Sequence, residues 1–238
     1  MDTRTRHALK KDKFAQAAAT SASWVSEHRS GVTRWVIGAG VVLVLAIGAL
    51  VYWNIVTSAA NKALGAAMDA YNAPLTEPGE PAMSGMYPTS KARSQDANRQ
   101  FIAVAEKYGW LPEGAEARYF AGVTYQELGD NEAAQSELEQ AANAWNWGNR
   151  NLSNLAKMAL AGLYQQTNRD SQAVAIYEAL ANKPSETVPA TSAQLALADL
   201  YAAQGKRDLA RALWAKVEDA DKGGAAGSIA AQKLNAAQ

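Results

Sequence analysis

The amino-acid sequence predicts an all-α protein: one N-terminal transmembrane helix followed by an α-solenoid of paired helices. Three observations carry this expectation. Alanine supplies 52 of the 238 residues, whereas residues 58–238 contain only 8 Val plus Ile, too few β-branched side chains for a sheet. Residues 35–56 are uncharged and strongly apolar. Beyond them, one spacing pattern of small and aromatic residues occurs three times.

The apolar run, WVIGAGVVLVLAIGALVYWNIV, has 22 residues, nine of them Val or Ile. At 1.5 Å per residue it is long enough to cross a hydrocarbon core of ~30 Å, and we assign a transmembrane helix to residues 35–57. Trp35 marks one end and Tyr52 with Trp53 the other, where amphipathic rings favour the headgroup level. Residues 1–34 carry seven basic side chains (Arg4, Arg6, Lys10, Lys11, Lys13, Arg29 and Arg34), against Lys62 alone in residues 57–90. This asymmetry predicts a cytoplasmic tail over 1–34 and an exported C-terminal part. Ser58-Ala59-Ala60 offers a competing cleavage site, but the tail is longer than an ordinary signal n-region, which favours an uncleaved anchor. The tail's Leu9, Phe14, Trp24 and Val25 suit either contact with the anionic inner leaflet or a plain charged retention signal.

Self-similarity organises the rest. Gly122, Tyr125, Gly129, Ala134, Leu138 and Ala141 are spaced 3, 4, 5, 4 and 3 apart. The same offsets recur at Ala161, Tyr164, Asn168, Ala173, Tyr177 and Leu180, and again at Ala198, Tyr201, Gly205, Ala210, Trp214 and Val217. Each copy reads as a helical hairpin. A small residue lets two helices approach, a tyrosine three later fills the gap, and Gly129, Asn168 or Gly205 supplies a left-handed turn. These copies resemble the tetratricopeptide (TPR) repeat, which implies stacked helix pairs and is silent about chemistry. They recur after 39 and 37 residues rather than the family's usual ~34, so loops or helix ends are extended. The family's first-helix tryptophan is replaced by Arg118, Lys157 and Gln194.

A degenerate upstream pair is expected in residues 61–75 and 90–109, the second with an apolar stripe of Ala97, Phe101 and Ala105. Between them, residues 74–90 form a Pro/Gly-rich insert with Pro74, Pro78, Pro81 and Pro88. The repeats thus extend over 58–222, and residues 223–238 read as a C-terminal capping helix.

Chemistry finds little to work with. There is no cysteine, and the only histidines, His7 and His28, precede the apolar run. We therefore expect no catalytic residue, no metal and no cofactor, and the net charge of about −4 beyond the span argues against nucleic acid. Glu127, Asp130, Glu132, Glu137 and Glu139 are the acidic candidates by count, but they fall where charge ordinarily serves solvation.

The exposed face of each first helix would line the solenoid's inner wall. It places Glu116, Tyr119, Val123 and Gln126 beside Leu155, Met158, Gly162 and Gln165, then Ser192, Leu195, Asp199 and Ala202. Of these, Tyr119, Val123, Gln126, Met158, Gln165 and Leu195 are the candidate peptide-binding residues. Packing of Tyr119, Met158 and Leu195 on neighbouring helices is an equally open reading. TPR proteins that grip a C-terminal carboxylate use Lys and Asn on this wall, which is absent here. Trp145 and Trp147 either contact a partner or plug the wider repeat spacing, as does Trp110.

A basic tail, one anchor and an exported TPR array together resemble the ancillary subunit of the bacterial SecYEG translocon. That resemblance implies association with the translocon, with periplasmic chaperones and with newly exported chains. The alternatives are an envelope scaffold for division or outer-membrane complexes, or a regulatory subunit of an enzyme.

Overall fold

A computed structural model describes residues 29–76, 85–143 and 149–237. Among them the chain is helical, with one isolated β-bridge. It divides into two units, Met1–Val56 and Thr57–Gln238. Helix α1 (Arg29–Asn72) contributes to both. No proline interrupts it, and the polar residues Asn54, Thr57, Ser58 and Asn61 change its hydropathy without breaking its backbone. The sequence-based boundary at 57/58 therefore falls inside a helix.

In the first unit the large apolar side chains from Trp35 to Ile55 are exposed, Trp35 at 83% and Leu50 at 69%. That is the reverse of a soluble helix. From Thr33 to Asn72, α1 is long and apolar enough to cross a membrane, with a mean hydropathy of 2.4 in its most apolar window.

The second unit begins with the end of α1, where Ala60, Leu64, Ala67 and Ala70 form a buried stripe. Beside it runs α2 (Ser90–Tyr108), capped by Thr89 Oγ1, which accepts from the Ala92 N–H at 3.1 Å. Ala97, Phe101 and Ala105 of α2 are buried, as their spacing predicts. Three pairs follow: α3 (Pro112–Leu128) with α4 (Asn131–Ala142), α5 (Arg150–Gln166) with α6 (Asp170–Asn182), and α7 (Ala190–Ala203) with α8 (Arg207–Ala220). Helix α9 (Ala225–Ala236) closes the array. From α2 onwards each helix packs on the next, and α3 also touches α5 as α7 touches α9. First helices of successive pairs are thus neighbours, which is the contact pattern of a solenoid.

The repeated positions explain the packing. Gly122, Ala161 and Ala198 are buried, as are Ala134, Ala173 and Ala210 opposite them. A Cβ at Gly122 would lie 2.6 Å from Leu138 Cγ, so only glycine admits that leucine. Each hairpin turns through a left-handed residue: Gly129 at φ 81°, Asn168 at φ 57° and Gly205 at φ 74°. In every case the next backbone N–H returns to the repeat tyrosine's carbonyl, Asp130 to Tyr125 at 3.0 Å, Arg169 to Tyr164 at 2.7 Å and Lys206 to Tyr201 at 2.9 Å.

Both ends of the Pro/Gly-rich insert are tied together. Thr76 N–H donates to Tyr87 O at 2.9 Å and Tyr87 N–H to Pro74 O at 3.1 Å, forming a parallel bridge between Leu75 and Tyr87. The Tyr87 hydroxyl then donates to Asp96 of α2. The residues that the last interval adds to the usual ~34 are taken up after α6, where Asn154 Nδ2 donates to Lys183 O at 3.0 Å and Val188 turns inward, 2% exposed.

Candidate functional site

On α3, α5 and α7 the expected wall residues recur at i, i+3/4 and i+7, one strip away from the buried face. Tyr119, Val123, Gln126, Met158, Gln165 and Leu195 are all half-buried. They stand on successive helices and do not converge on one cavity. Their apolar members also serve helix packing. Tyr119 rests on Ala141, Ala142 and Ala156 and meets Phe120 edge-on at 5.0 Å, and burial pushes its phenol pKa up. Met158 packs against Leu180, Val188 and Ala193, and Leu195 against the cluster of Ala198, Ala210, Trp214, Val217 and Ala230. The wall is therefore shallow, and its apolar area is shared between the fold and anything that docks there.

The acidic candidates tie helices together. Glu127 accepts the Tyr71 hydroxyl at 2.7 Å and the Ser94 hydroxyl, joining α1, α2 and α3. Burial, then the bond to Glu127, pushes the Tyr71 phenol up to about 12. Glu137 pairs with Arg118 at 3.0 Å, so the residue standing in for the family's tryptophan bridges α3 to α4. Glu139 accepts from Tyr164 at 3.1 Å and from Gln135 at 2.7 Å, and Asp130 caps α4 through the Ala133 N–H. Among the described residues no three His, Cys, Asp or Glu side chains come together as a metal site would require.

One polar cluster sits where the wall ends. Asp199, on the same α7 strip as Leu195, accepts the Trp214 indole N–H at 3.1 Å and pairs with Lys233 of α9 at 3.0 Å. The Lys233 ammonium lies 5.8 Å from the centre of the Trp214 ring. Beside them is a cavity of about 330 Å³, whose other lining residues are Ala202, Ala236 and Ala237. Spacing within one helix cannot pair α7 with α9, so this cluster is not legible in sequence, although Asp199 falls on the wall strip and Trp214 on a repeat position. A second cavity of about 570 Å³ lies at the base of the insert, between Tyr87, Asp96, Arg99 and Leu128. Trp145 and Trp147 lie outside the described residues. Trp110 is 45% exposed.

Comparison with known proteins bears on the fold. The profile of the tetratricopeptide repeat-like domain matches residues 32–238. No curated protein matches the chain. Similar solved structures include the nearly identical TPR-like repeats of a Podosopora anserina kinesin light chain, 19% identical, with a TM-score of 0.52 over 61% of this chain and 78% of that one. A single-substitution form of the same repeats is 18% identical, with a TM-score of 0.52 over 61% and 77%. At such identity the likeness concerns the fold alone.

Proposed function

The chain belongs to the tetratricopeptide repeat-like domain family, whose members engage protein partners, and from that premise we propose a membrane-anchored, non-catalytic receptor for extended polypeptide segments. The anchor is α1, with the basic tail cytoplasmic and the repeats exported. The partners are newly exported chains beside the export channel, as in the ancillary SecYEG subunit that the layout resembles, together with periplasmic chaperones.

The observation that carries this reading is a discontinuous wall of half-buried Tyr119, Val123, Met158 and Leu195 interleaved with the amides Gln126 and Gln165. Amides can bond an extended backbone, and shallow apolar area holds side chains without demanding a sequence. In support of the anchor, the exposed apolar side chains of α1 have a mean hydropathy suited to lipid, and basic residues concentrate on one flank only.

The test is photocrosslinking of the full chain in intact membranes, with the probe at Val123 or Gln165 and, for comparison, at the exposed Arg211 of α8. The expected products are newly exported polypeptides and channel subunits from the two wall positions. Crosslinks from Arg211 alone, to one stoichiometric partner, would replace this reading with an envelope scaffold. Protease added outside the inner membrane should remove the repeats and spare the tail, and the opposite digest would reverse the orientation.

A further inference from the structure

The cluster at the end of the wall contains its own ligand. Asp199 holds two donors, Trp214 Nε1 and Lys233 Nζ, and both fall on Oδ1. Among the described residues no donor is found at Oδ2. The indole beneath is 7% exposed, and its N–H fixes the carboxylate in place while the ring face receives the ammonium. A carboxylate beside an aromatic face is the arrangement that recognises an alkylammonium or guanidinium group. Here the cation comes from the capping helix.

That cation is loosely held. The side chains of Lys233 and Asp199 are 37% and 38% exposed, so water competes for both charges, and half-exposed pairs of this kind contribute little. Around them the lining residues Ala202, Ala236 and Ala237 are small, which leaves the cavity of about 330 Å³ beside the pair. The space is suited to one long side chain. Leu195, Asp199 and Ala202 share one strip of α7, so a segment lying along the wall would reach the carboxylate without a change of direction.

We propose that this end of the wall is a subsite for a lysine or arginine side chain of a bound polypeptide, with Lys233 as its internal placeholder. The partner is then an extended apolar segment carrying a basic residue near one end. The inference rests on the reading of the wall as a polypeptide-binding face, and it adds a charge preference that the apolar wall lacks.

The experiment uses the full chain in lipid nanodiscs and two labelled extended peptides of about ten residues, ~33 Å long, identical except that one carries lysine where the other carries norleucine. The lysine peptide should bind about five-fold more tightly at low salt and lose that advantage at high salt. Lys233→Ala removes the competitor and should tighten the lysine peptide about three-fold or more while leaving the norleucine peptide unchanged. Asp199→Asn keeps an acceptor for the indole N–H and should erase the preference, with norleucine-peptide binding reporting that the wall is intact.

If both peptides bind but Lys233→Ala weakens the lysine peptide or leaves it unchanged, the pair is only a staple for the cap and the subsite is overturned. In that case the wall still binds polypeptide. If neither peptide shows saturable binding, the wall reading itself fails and the subsite falls with it.

Discussion

Gly122, Ala134 and Leu138 show how closely two helices of one pair approach, since a Cβ on Gly122 would sit 2.6 Å from Leu138 Cγ and 3.2 Å from Ala134 O. The equivalent alanine of the next pair, Ala173, is 0% exposed. Ala173→Leu should therefore overpack the α5–α6 contact and lower stability by ~1–3 kcal/mol, whereas Ala175→Leu, at an exposed position of the same helix, should stay within ~0.5 kcal/mol of the parent. Denaturant midpoints compare the two, and equal values would refute the register. The left-handed turn residues allow a second test. Gly129→Ala and Gly205→Ala place a Cβ at positive φ and should each cost ~1–2 kcal/mol, while Asn168→Gly should be neutral or slightly stabilising. These positions were legible in sequence because the requirement is local and repeats. Gly114 was not. A Cβ there would lie 2.1 Å from Tyr108 O, a conflict set by how the chain enters α3 from α2 and by no spacing rule.

The helix pairs share a second device, visible once they are stacked. Tyr164 donates to Glu139 of the preceding pair at 3.1 Å and lies under Arg169, 4.4 Å from its ring centre. Tyr201 repeats this with Glu178 at 3.5 Å and Lys206 at 5.3 Å. In the pair before them the position five after Tyr125 is Asp130, an anion where the later pairs carry Arg169 and Lys206, so that ring lacks its cation. Arg169→Ala should accordingly cost ~1 kcal/mol, more than Lys206→Ala, because the guanidinium is closer to its ring and also donates to Gln135 at 2.6 Å. Thermal melts of the two variants give the order, and a reversed order would remove the ring contact as its cause. Upstream, α1 is held to the array by an aromatic group and the Glu127 carboxylate. Tyr71 meets Phe101 at 6.1 Å and Phe120 at 6.2 Å, and its hydroxyl reaches Glu127. Tyr71→Phe leaves Glu127 one donor poorer and should destabilise by ~1–3 kcal/mol, measured as the midpoint of helix loss. Sequence reasoning located this degenerate pair from the Ala97, Phe101 and Ala105 stripe. It missed the continuity of α1 and the bridge between Leu75 and Tyr87, since neither a hydropathy change nor a proline-rich loop encodes how its flanks meet.

Across the whole array, each helix depends on its immediate neighbours, so the repeat architecture was readable from spacing while partner recognition was not: the wall residues lie on separate helices, and the Asp199, Trp214 and Lys233 cluster needs three of them. The same architecture spreads one electrostatic property over every pair. Tyr71, Tyr119, Tyr125, Tyr164, Tyr177 and Tyr201 all have raised phenol pKa values, with burial the leading cause in each. In the unfolded chain these phenols ionise near ~10. Above that pH the unfolded state binds fewer protons than the folded one, so unfolding becomes easier as pH rises, and the loss continues towards the folded values, about 12 for Tyr71. Below ~10 both states keep their phenolic protons, and these groups give stability no slope. Helicity and phenolate absorbance followed together on an alkaline titration should show both changing late and in concert. Tyr71→Phe, which removes the most displaced of these groups, should flatten the alkaline fall even though it lowers stability at neutral pH. A phenolate signal that rose gradually around the ordinary tyrosine value with helicity intact would mean that these rings ionise in place, and that their burial does not couple the pairs to pH.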